Sequence, residues 1–288
     1  MALILITGGI GPTARGVAES LLREGADVRL LVNDASRAEQ MRRAGADIVE
    51  GDLLNGDSLQ RAMSGADRIF LTSPPGSELA RAQLAAVAAA RGAGVNYIVK
   101  LSMLGARLGS PAALCRAHAE VEQGVEASGI PYAHLRTNFF MQNFLEAAPS
   151  WRRDGVIRAP LGHRTVSFID RRDLSYAAAR AIMTSDFPSQ AYELTGPESL
   201  GLDQITGILS TVLRREIRYQ TPSSEDTFQT MTASGADPWF ARATVETYED
   251  MGSSGTAAVT GDFAALAGRP ATSFAAFAAA HETAFRGG

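Results

Sequence analysis

The sequence predicts an α/β fold built on a doubly wound parallel sheet, and three observations support the prediction. Short apolar runs alternate with segments of helical length through the first half of the chain. Glycines stand where each helix should end, namely Gly25, Gly45, Gly65, Gly94 and Gly129. The first apolar run breaks into a glycine-rich turn before a helix begins. This order of elements is typical of a Rossmann-like sheet.

The bounds of the elements follow from the apolar runs and the glycines. The predicted strands are residues 3–7, 27–32, 46–49, 67–72, 95–101 and 131–136. The predicted helices lie near residues 12–24, 35–44, 56–63, 77–92 and 112–128. Because strands and helices alternate, the strands are expected to run parallel.

The turn after the first strand reads Thr7-Gly8-Gly9-Ile10-Gly11-Pro12-Thr13-Ala14, a G-x-x-G-x-x-A spacing. In such a turn Gly8 allows a sharp bend, Gly11 lets a phosphate approach the backbone, and Ala14 keeps the helix close to the sheet. Pro12 lacks an amide hydrogen, so the remaining amides and the Thr13 hydroxyl are expected to hold a pyrophosphate at the helix start. The alternative is that the glycines serve only the turn between the strand and the helix. The loops after the other strands help to decide between a pyrophosphate site and such a turn.

The loop after the second strand bears on the choice between NAD and NADP. Asn33 stands where an acid would bind the ribose hydroxyls of NAD. Arg37 lies one helical turn further on, where it could meet the 2′-phosphate of NADP. We therefore predict NADP, with NAD as the alternative. In that alternative Asp34 caps the helix and Arg37 is solvated.

The loops after the later strands complete the predicted cofactor site. Asp52 and Leu53 follow the third strand, where an adenine would lie. A turn able to pass under a ribose follows the fourth strand and consists of Thr72, Ser73 and Pro74. Asn138 and Phe139 follow the sixth strand and are predicted to lie at the nicotinamide end.

The candidate catalytic residues lie on and after the fifth strand. Ser102 is near the point where a nicotinamide ring and a substrate carbonyl would meet. Reduction of a ketone needs a proton donor, and the Tyr-x-x-x-Lys of short-chain reductases is absent from the following helix. His118 on that helix is the candidate to donate a proton or position a water, with a structural histidine as the alternative. Cys115 has no flanking base, which disfavours a nucleophilic role.

The second half of the chain predicts a smaller region. We divide the chain into a dinucleotide-binding domain at residues 1–150 and a helix-rich substrate region at residues 151–288. Within it, residues 166–170 are predicted to form a strand and N-cap and residues 173–183 a helix, and the segment 166–194 is expected to pack back on the main sheet. The helical spacing of two aromatic clusters favours core packing over ligand contact. These clusters are Trp239-Phe240 with Tyr248, and Phe274 with Phe277 and Phe285.

Composition excludes several classes of function. The 288 residues carry a net charge of -4 and no run of basic residues, which removes the electrostatic case for nucleic-acid binding. The single cysteine excludes an internal disulfide and a cysteine-based metal cluster, so no metal is predicted and a reducing, cytoplasmic location is expected. No apolar run reaches the roughly 20 residues that span a bilayer, so no membrane contact is predicted.

Several segments in order resemble the NmrA-like family, a group of atypical short-chain dehydrogenases/reductases. The matching segments are Thr7 to Ala14, Gly51-Asp52-Leu53, Ala93-Gly94-Val95, Val99-Lys100-Leu101-Ser102, His118 with Glu122, residues 128–132, residues 135–143 and residues 168–173. The resemblance implies NAD(P) binding and places His118 where related isoflavone reductases have a catalytic lysine. Three positions depart from the family pattern: Ala14 replaces the third glycine, Asn33 an arginine, and Thr137 a proline.

Two functions are compatible with this resemblance. The first is an NAD(P)H-dependent reductase, of ketoreductase or quinone reductase type, acting on a bulky hydrophobic carbonyl or quinone. A ketone on an aromatic, polyketide-like natural product is the preferred substrate, and hydride transfer would proceed by proximity of the reactants, with water completing protonation. The second is a non-catalytic NAD(P)-sensing regulatory protein that moves a partner protein. Turnover of any substrate separates the two.

Overall fold

The structure is a computed structural model that describes residues 2–287; Met1 and Gly288, the outer ends of the two predicted domains, lie outside this range. The strands are β1 (Leu3–Ile6), β2 (Asp27–Val32), β3 (Asp47–Glu50), β4 (Arg68–Leu71), β5 (Tyr97–Met103), β6 (Tyr132–Thr137), β7 (Val156–Arg158), β8 (Gln190–Leu194) and β9 (Arg218–Gln220). The helices are α1 (Pro12–Arg23), α2 (Glu39–Arg43), α3 (Gly56–Met63), α4 (Leu79–Ala93), α5 (Ala113–Ala127), α6 (Gln142–Glu146), α7 (Ala148–Trp151), α8 (Arg171–Thr184), α9 (Leu202–Leu213), α10 (Ser224–Ala233), α11 (Pro238–Asp250), α12 (Asp262–Ala267), α13 (Phe274–Ala280) and α14 (Glu282–Arg286).

Seven strands form one parallel sheet in the order β3-β2-β1-β4-β5-β6-β8. This order confirms the predicted doubly wound, Rossmann-like sheet. The strand order reverses between β1 and β4, since β2 and β3 lie on one side of β1 and the later strands lie on the other. Ligands bind at this point in such folds. A separate pair, β7 with β9, lies outside the main sheet.

The sheet is buried on both faces, as its continuous apolar strands predict. Successive residues of a strand point to opposite faces, so Ile4 and Ile6 pack with α1 and α8 while Leu5 packs with α3 and α4. A third core lies among the C-terminal helices. It contains Phe274, Phe277 and Phe285, which confirms the predicted core role of that cluster. No helix between residues 2 and 287 is long and apolar enough to cross a membrane.

The predicted strand at residues 166–170 is wrong. The segment makes only two isolated bridges, Val166 with Leu200 and Ile169 with Phe140. Its apolar side chains are buried, and its backbone amides donate to carbonyls outside any strand, that of Ser167 to Thr256 and that of Ile169 to Phe139, both at 3.0 Å, so the segment does not form a continuous ladder. The helix that follows is α8, with Asp170 accepting from the Arg172 amide as its N-cap.

The seventh strand of the sheet, β8, was not predicted. It pairs with β6 at the edge of the sheet, from Ala133 opposite Gln190 to Thr137 opposite Leu194. α8 packs along α1 on one face of the same sheet. The division into domains at residue 150 stays a prediction, because β8 and α8 come from the second region yet complete the main sheet.

Candidate active site

The turn after β1 approaches the end of β4 very closely. Gly8 has a φ of +78°, and a Cβ at this position would lie 2.9 Å from Thr72 Cγ2. Thr7 joins the same two strand ends, because its hydroxyl donates to the Thr72 carbonyl at 2.5 Å and accepts from the Thr72 amide at 2.8 Å. The fold itself therefore requires glycine at position 8.

Gly11 differs from Gly8, since the fold does not require a glycine there. Its φ of -55° suits any residue, and an added Cβ would meet only the Gly8 carbonyl oxygen at an ordinary 3.6 Å. Gly11 is the N-cap of α1, and no side chain in the described part of the chain caps this helix. The amides of the first turn, apart from that of Pro12, are therefore left for an anion, and the helix dipole favours negative charge there.

A cleft of about 630 Å³ runs along the carboxyl ends of β1 to β4. The predicted cofactor residues that line it are Gly8, Gly11, Pro12, Asn33, Arg37, Asp52, Leu53, Ser73 and Pro74. Thr13 lies in the first turn of α1, Ala14 is buried in the core, and Thr72 is buried behind Gly8. The cleft thus brings together residues from the four loops singled out in the sequence.

The acidic and basic side chains around the cleft differ in whether they have partners within the protein. Four carboxylates line it, and each has a local partner: Asp34 with Ser36, Asp52 with the Leu54 amide, Glu78 with Arg81, and Asp237 with the Phe240 amide. Hydrogen bonds from the Ser36 hydroxyl and amide lower the pKa of Asp34, which caps a short 3-10 helix. The guanidinium of Arg37 has no hydrogen bond or salt bridge within residues 2–287, so it can meet an anion in the cleft.

A second cavity of about 230 Å³ lies at the ends of β5 and β6. Its wall includes Met103, Leu104, Leu114, Cys115, Phe139, Phe140, Asn143 and Phe240. Pockets that hold a whole drug-sized ligand measure about 300–1,000 Å³, so this cavity takes one ring system rather than an entire bulky molecule. Neither His118 nor Ser102 lines it.

Helix α11 connects the cleft to the second cavity. Asp237, its N-cap, lines the cleft, while Phe240, Thr244, Thr247 and Tyr248 line the cavity. These four positions share one face of the helix. Phe240 and Tyr248 do pack against the hydrophobic cores, as predicted, and they line the cavity as well. Helical spacing is the same for a core stripe and for a cavity wall, so the aromatic pattern alone did not separate the two.

Asn138 and Phe139 lie at the second cavity. The Asn138 side-chain amide donates to Ser167 Oγ and to the Thr256 carbonyl, both at 2.8 Å, and accepts from the Phe139 amide at 2.9 Å. Its hydrogen-bonding groups are thus used within the protein. The Phe139 ring stacks on Tyr248 with centroids 5.3 Å apart. Asn138 therefore orients Phe139, and a direct contact of either residue with a cofactor stays a prediction.

Ser102 belongs to a buried polar network beneath the cavity. Its hydroxyl donates to Glu122 Oε1 at 2.6 Å, and the Arg136 guanidinium donates to both Glu122 oxygens at 3.0 and 2.7 Å. Burial acts to raise the pKa of Glu122, but the hydrogen bonds from Arg136 and Ser102 outweigh it and hold the pKa below its ordinary value. The network joins β5, α5 and β6, and a catalytic role for Ser102 stays a prediction.

His118 lies one helical turn below the cavity wall formed by Leu114 and Cys115. Lys100, the only lysine of the chain, is fully buried, and its Nζ lies 2.9 Å from His118 Nδ1 and donates to the Leu101 carbonyl at 3.0 Å. Burial lowers the pKa of Lys100 to about 7. Burial, and then the charge of Lys100, lower the pKa of His118 well below its ordinary value. A proton-donating role for His118 stays a prediction.

A sequence model of the NmrA-like family matches residues 1–255. The chain belongs to the NmrA-like family. This finding confirms the resemblance drawn from the sequence motifs.

Named relatives align over nearly the whole of this NmrA-like chain. An NAD(P)H azoreductase of Xenophilus azovorans is 33% identical, over 98% of this chain and 99% of its own. A (4-alkanoyl-5-oxo-2,5-dihydrofuran-3-yl)methyl phosphate reductase of Streptomyces griseus is 34% identical, over 98% and 99%. Among solved structures, an NADPH-dependent quinone oxidoreductase of Escherichia coli complexed with NADPH has a TM-score of 0.88 at 26% identity, covering 97% of this chain and 99% of that one.

Replacing Lys100 with methionine is expected to change how the stability of this NmrA-like protein depends on pH. A lysine pKa of about 7 in the folded protein and 10.5 in the unfolded chain means that the unfolded chain binds more protons between these pH values. The free energy of unfolding of the wild type should therefore rise with pH in that window, by about 2–5 kcal/mol. K100M should lack this rise, which urea unfolding at pH 6 and pH 10 would measure. An equal slope in both proteins would contradict the assignment.

Proposed function

We propose that this protein is an NADPH-dependent reductase of flat, hydrophobic aromatic acceptors, with quinones and aromatic ketones as the substrate class. The observation that carries the proposal is the arrangement of two neighbouring sites. The uncapped start of α1 lies in the cleft, and the cavity walled by aromatic rings lies beside that cleft. Helix α11 lines both the cleft and the cavity. The names of its relatives, azoreductase and quinone oxidoreductase, support the same class of reaction.

The residues of the cleft fit a dinucleotide. Gly11 leaves room beside the uncapped first turn of α1, where the amides of Thr13 and Ala14 would hold the pyrophosphate. The loop of Asp52 and Leu53 would hold the adenine, and Arg37 would bind the 2′-phosphate. A dinucleotide bound in this way would extend its nicotinamide end toward β5 and β6, where the second cavity lies. When bound there, NADPH supplies a hydride.

The second cavity fits one aromatic ring system of a substrate. The rings of Phe139, Phe140, Phe240 and Tyr248 line it, and such rings favour stacked or edge-on contacts with another aromatic group. Because the cavity is smaller than a whole bulky substrate, the remainder of such a substrate would extend outside it. Closely packed rings around the reacting atoms also exclude water, which strengthens any hydrogen bond made inside the cavity.

Arg37→Ala tests the choice of NADPH. A charged hydrogen bond is worth about 1.5–3 kcal/mol, so the Kd for NADPH should rise about 10-fold to 100-fold while the Kd for NADH is unchanged. Fluorescence titration with both cofactors would measure the two constants. Arg91→Ala is the matched control, because Arg91 is also exposed but lies outside the cleft. If Arg37→Ala lost affinity equally for NADPH and NADH, or lost none, Arg37 would not be the residue that binds the 2′-phosphate.

A panel of acceptors tests the reaction itself. The purified protein should consume NADPH in the presence of polycyclic quinones, aromatic ketones and azo dyes, with the highest kcat/KM for quinones. Saturable NADPH binding without consumption across the whole panel would contradict the reductase proposal and favour the dinucleotide-sensing alternative. Absence of NADPH binding would contradict both.

A further inference from the structure

The hydrogen-bonding groups on the cavity wall fall into two classes. Most of the hydroxyls are already used within the protein: Thr137 donates to the Ser102 carbonyl, Thr247 to the Ala243 carbonyl, and both Ser254 and Thr256 to the Met251 carbonyl. Three side chains on the wall have no hydrogen-bond partner in the part of the chain that the structure describes, namely Asn143, Thr244 and Tyr248. Of these, only Tyr248 carries an acidic hydroxyl.

The ring of Tyr248 stacks on a neighbouring ring, and the helix that carries it is anchored close by. The ring stacks on Phe139 with an angle of 25° between the ring planes, and Phe139 is itself oriented by Asn138. Two residues after Tyr248, α11 is anchored by Asp250, whose buried carboxylate accepts from Arg107 at 2.6 Å and from the Ser110 hydroxyl at 2.8 Å. A fixed ring with an unused hydroxyl at a cavity is a preorganised donor.

The other candidates for a proton donor are less well placed. Ser102 donates to Glu122, and His118 lies beneath the wall beside Lys100, so neither lines the cavity. The buried thiol of Cys115 does line it, and burial raises the pKa of this thiol, but the thiol is already engaged in a hydrogen bond with Ser110. Burial also raises the pKa of Tyr248, which keeps its hydroxyl protonated at neutral pH.

We propose that Tyr248 is the catalytic proton donor of this enzyme, a proposal that rests on the reductase function above. The substrate carbonyl carbon gains the hydride of NADPH and the C=O π bond opens. The carbonyl oxygen then takes the proton of Tyr248 Oη, so the product carries one new C–H and one new O–H bond. Water returns a proton to the phenolate, and NADP⁺ is released. Tyr248 thus fills the role of the tyrosine that is absent from α5, from a different helix.

Tyr248→Phe tests this proposal, because it removes the hydroxyl and keeps the ring that stacks on Phe139. With 9,10-phenanthrenequinone as acceptor, kcat should fall about 100-fold or more, the usual size of a general-acid contribution. The Kd for NADPH should not change. Tyr219→Phe is the matched control, since Tyr219 lies on β9 outside the cavity, and it should keep wild-type kcat.

A cationic triarylmethyl dye separates proton donation from a structural role. Such a dye becomes neutral when it accepts a hydride and needs no proton, so Y248F should reduce it as fast as the wild type does. If Y248F lost activity equally with the dye and with the quinone, the proposal would be overturned. Wild-type kcat of Y248F with the quinone would also overturn it. If the wild type does not reduce the dye, the result with the quinone alone decides. Failure of the reductase function is distinguishable, because the wild type would then consume no NADPH with any acceptor.

Discussion

Replacing Gly11 with valine is expected to remove NADPH binding almost completely while the protein still folds. The backbone conformation of Gly11 suits any residue, and the nearest atom to an added Cβ is an ordinary contact at 3.6 Å. Valine is a poor N-cap, so the free energy of unfolding should fall by no more than about 1 kcal/mol. The branched side chain would occupy the space next to the first-turn amides, so the Kd for NADPH should rise at least about 100-fold, or about 2.7 kcal/mol.

Two further glycine variants serve as controls for this prediction. Gly8→Ala should lose stability and NADPH binding together, because its Cβ would lie 2.9 Å from Thr72 and its φ is positive. Gly25→Ala has nearly the same φ, +75°, but open space around the new atom, and it should bind NADPH normally. Wild-type affinity of G11V in a fluorescence titration would contradict the placement of the pyrophosphate at α1.

Replacing Glu122 with alanine is expected to cause the largest loss of stability among single changes beneath the cavity. Glu122 is 3% exposed and accepts both the Ser102 hydroxyl and two hydrogen bonds from Arg136. Its removal leaves a largely buried guanidinium without its counter-ion. Breaking one side of a buried ion pair typically costs about 3–5 kcal/mol, and urea unfolding should show a loss of that size.

Glu120 provides the matched control for this change, because it lies on the same helix and is exposed. Glu120→Ala should change the free energy of unfolding by no more than about 0.5 kcal/mol, as expected for a surface position. Ser102→Ala removes only one hydrogen bond and should cost about 1 kcal/mol. If E122A were as stable as E120A, the network joining β5, α5 and β6 would not carry the stability assigned to it.

The sheet was predictable because its signals are local. Each of the first six strands is an apolar run, and the glycines that follow the helices have the positive φ that ends a helix, from +72° at Gly65 to +102° at Gly45. The edge strand β8 was missed because its sequence, Gln-Ala-Tyr-Glu-Leu, is short and half polar. Residues 166–170 are apolar like a strand, but tertiary packing buries them with two isolated bridges in place of a continuous strand partner.

The cleft was predictable for the same reason, and the second cavity was not. Gly8, Gly11, Asn33 and Arg37 follow strand ends directly, and strand order brings the ends of parallel strands to one edge of the sheet. The cavity wall depends on α11, which is about 100 residues along the chain from the loops it covers. Nothing in the local spacing of Phe240 and Tyr248 shows that their helix faces a cavity, or that the Tyr248 hydroxyl has no hydrogen-bond partner among residues 2–287.

Mixing the protein and NADPH with 9,10-phenanthrenequinone, with the cofactor absorbance followed over a single turnover, tests the central claim most directly. The structure predicts that bound NADPH is consumed in step with the quinone, at a rate that saturates with quinone concentration because the acceptor must enter the second cavity. NADPH that stays bound and unoxidised while the quinone is present in excess would contradict the reductase function.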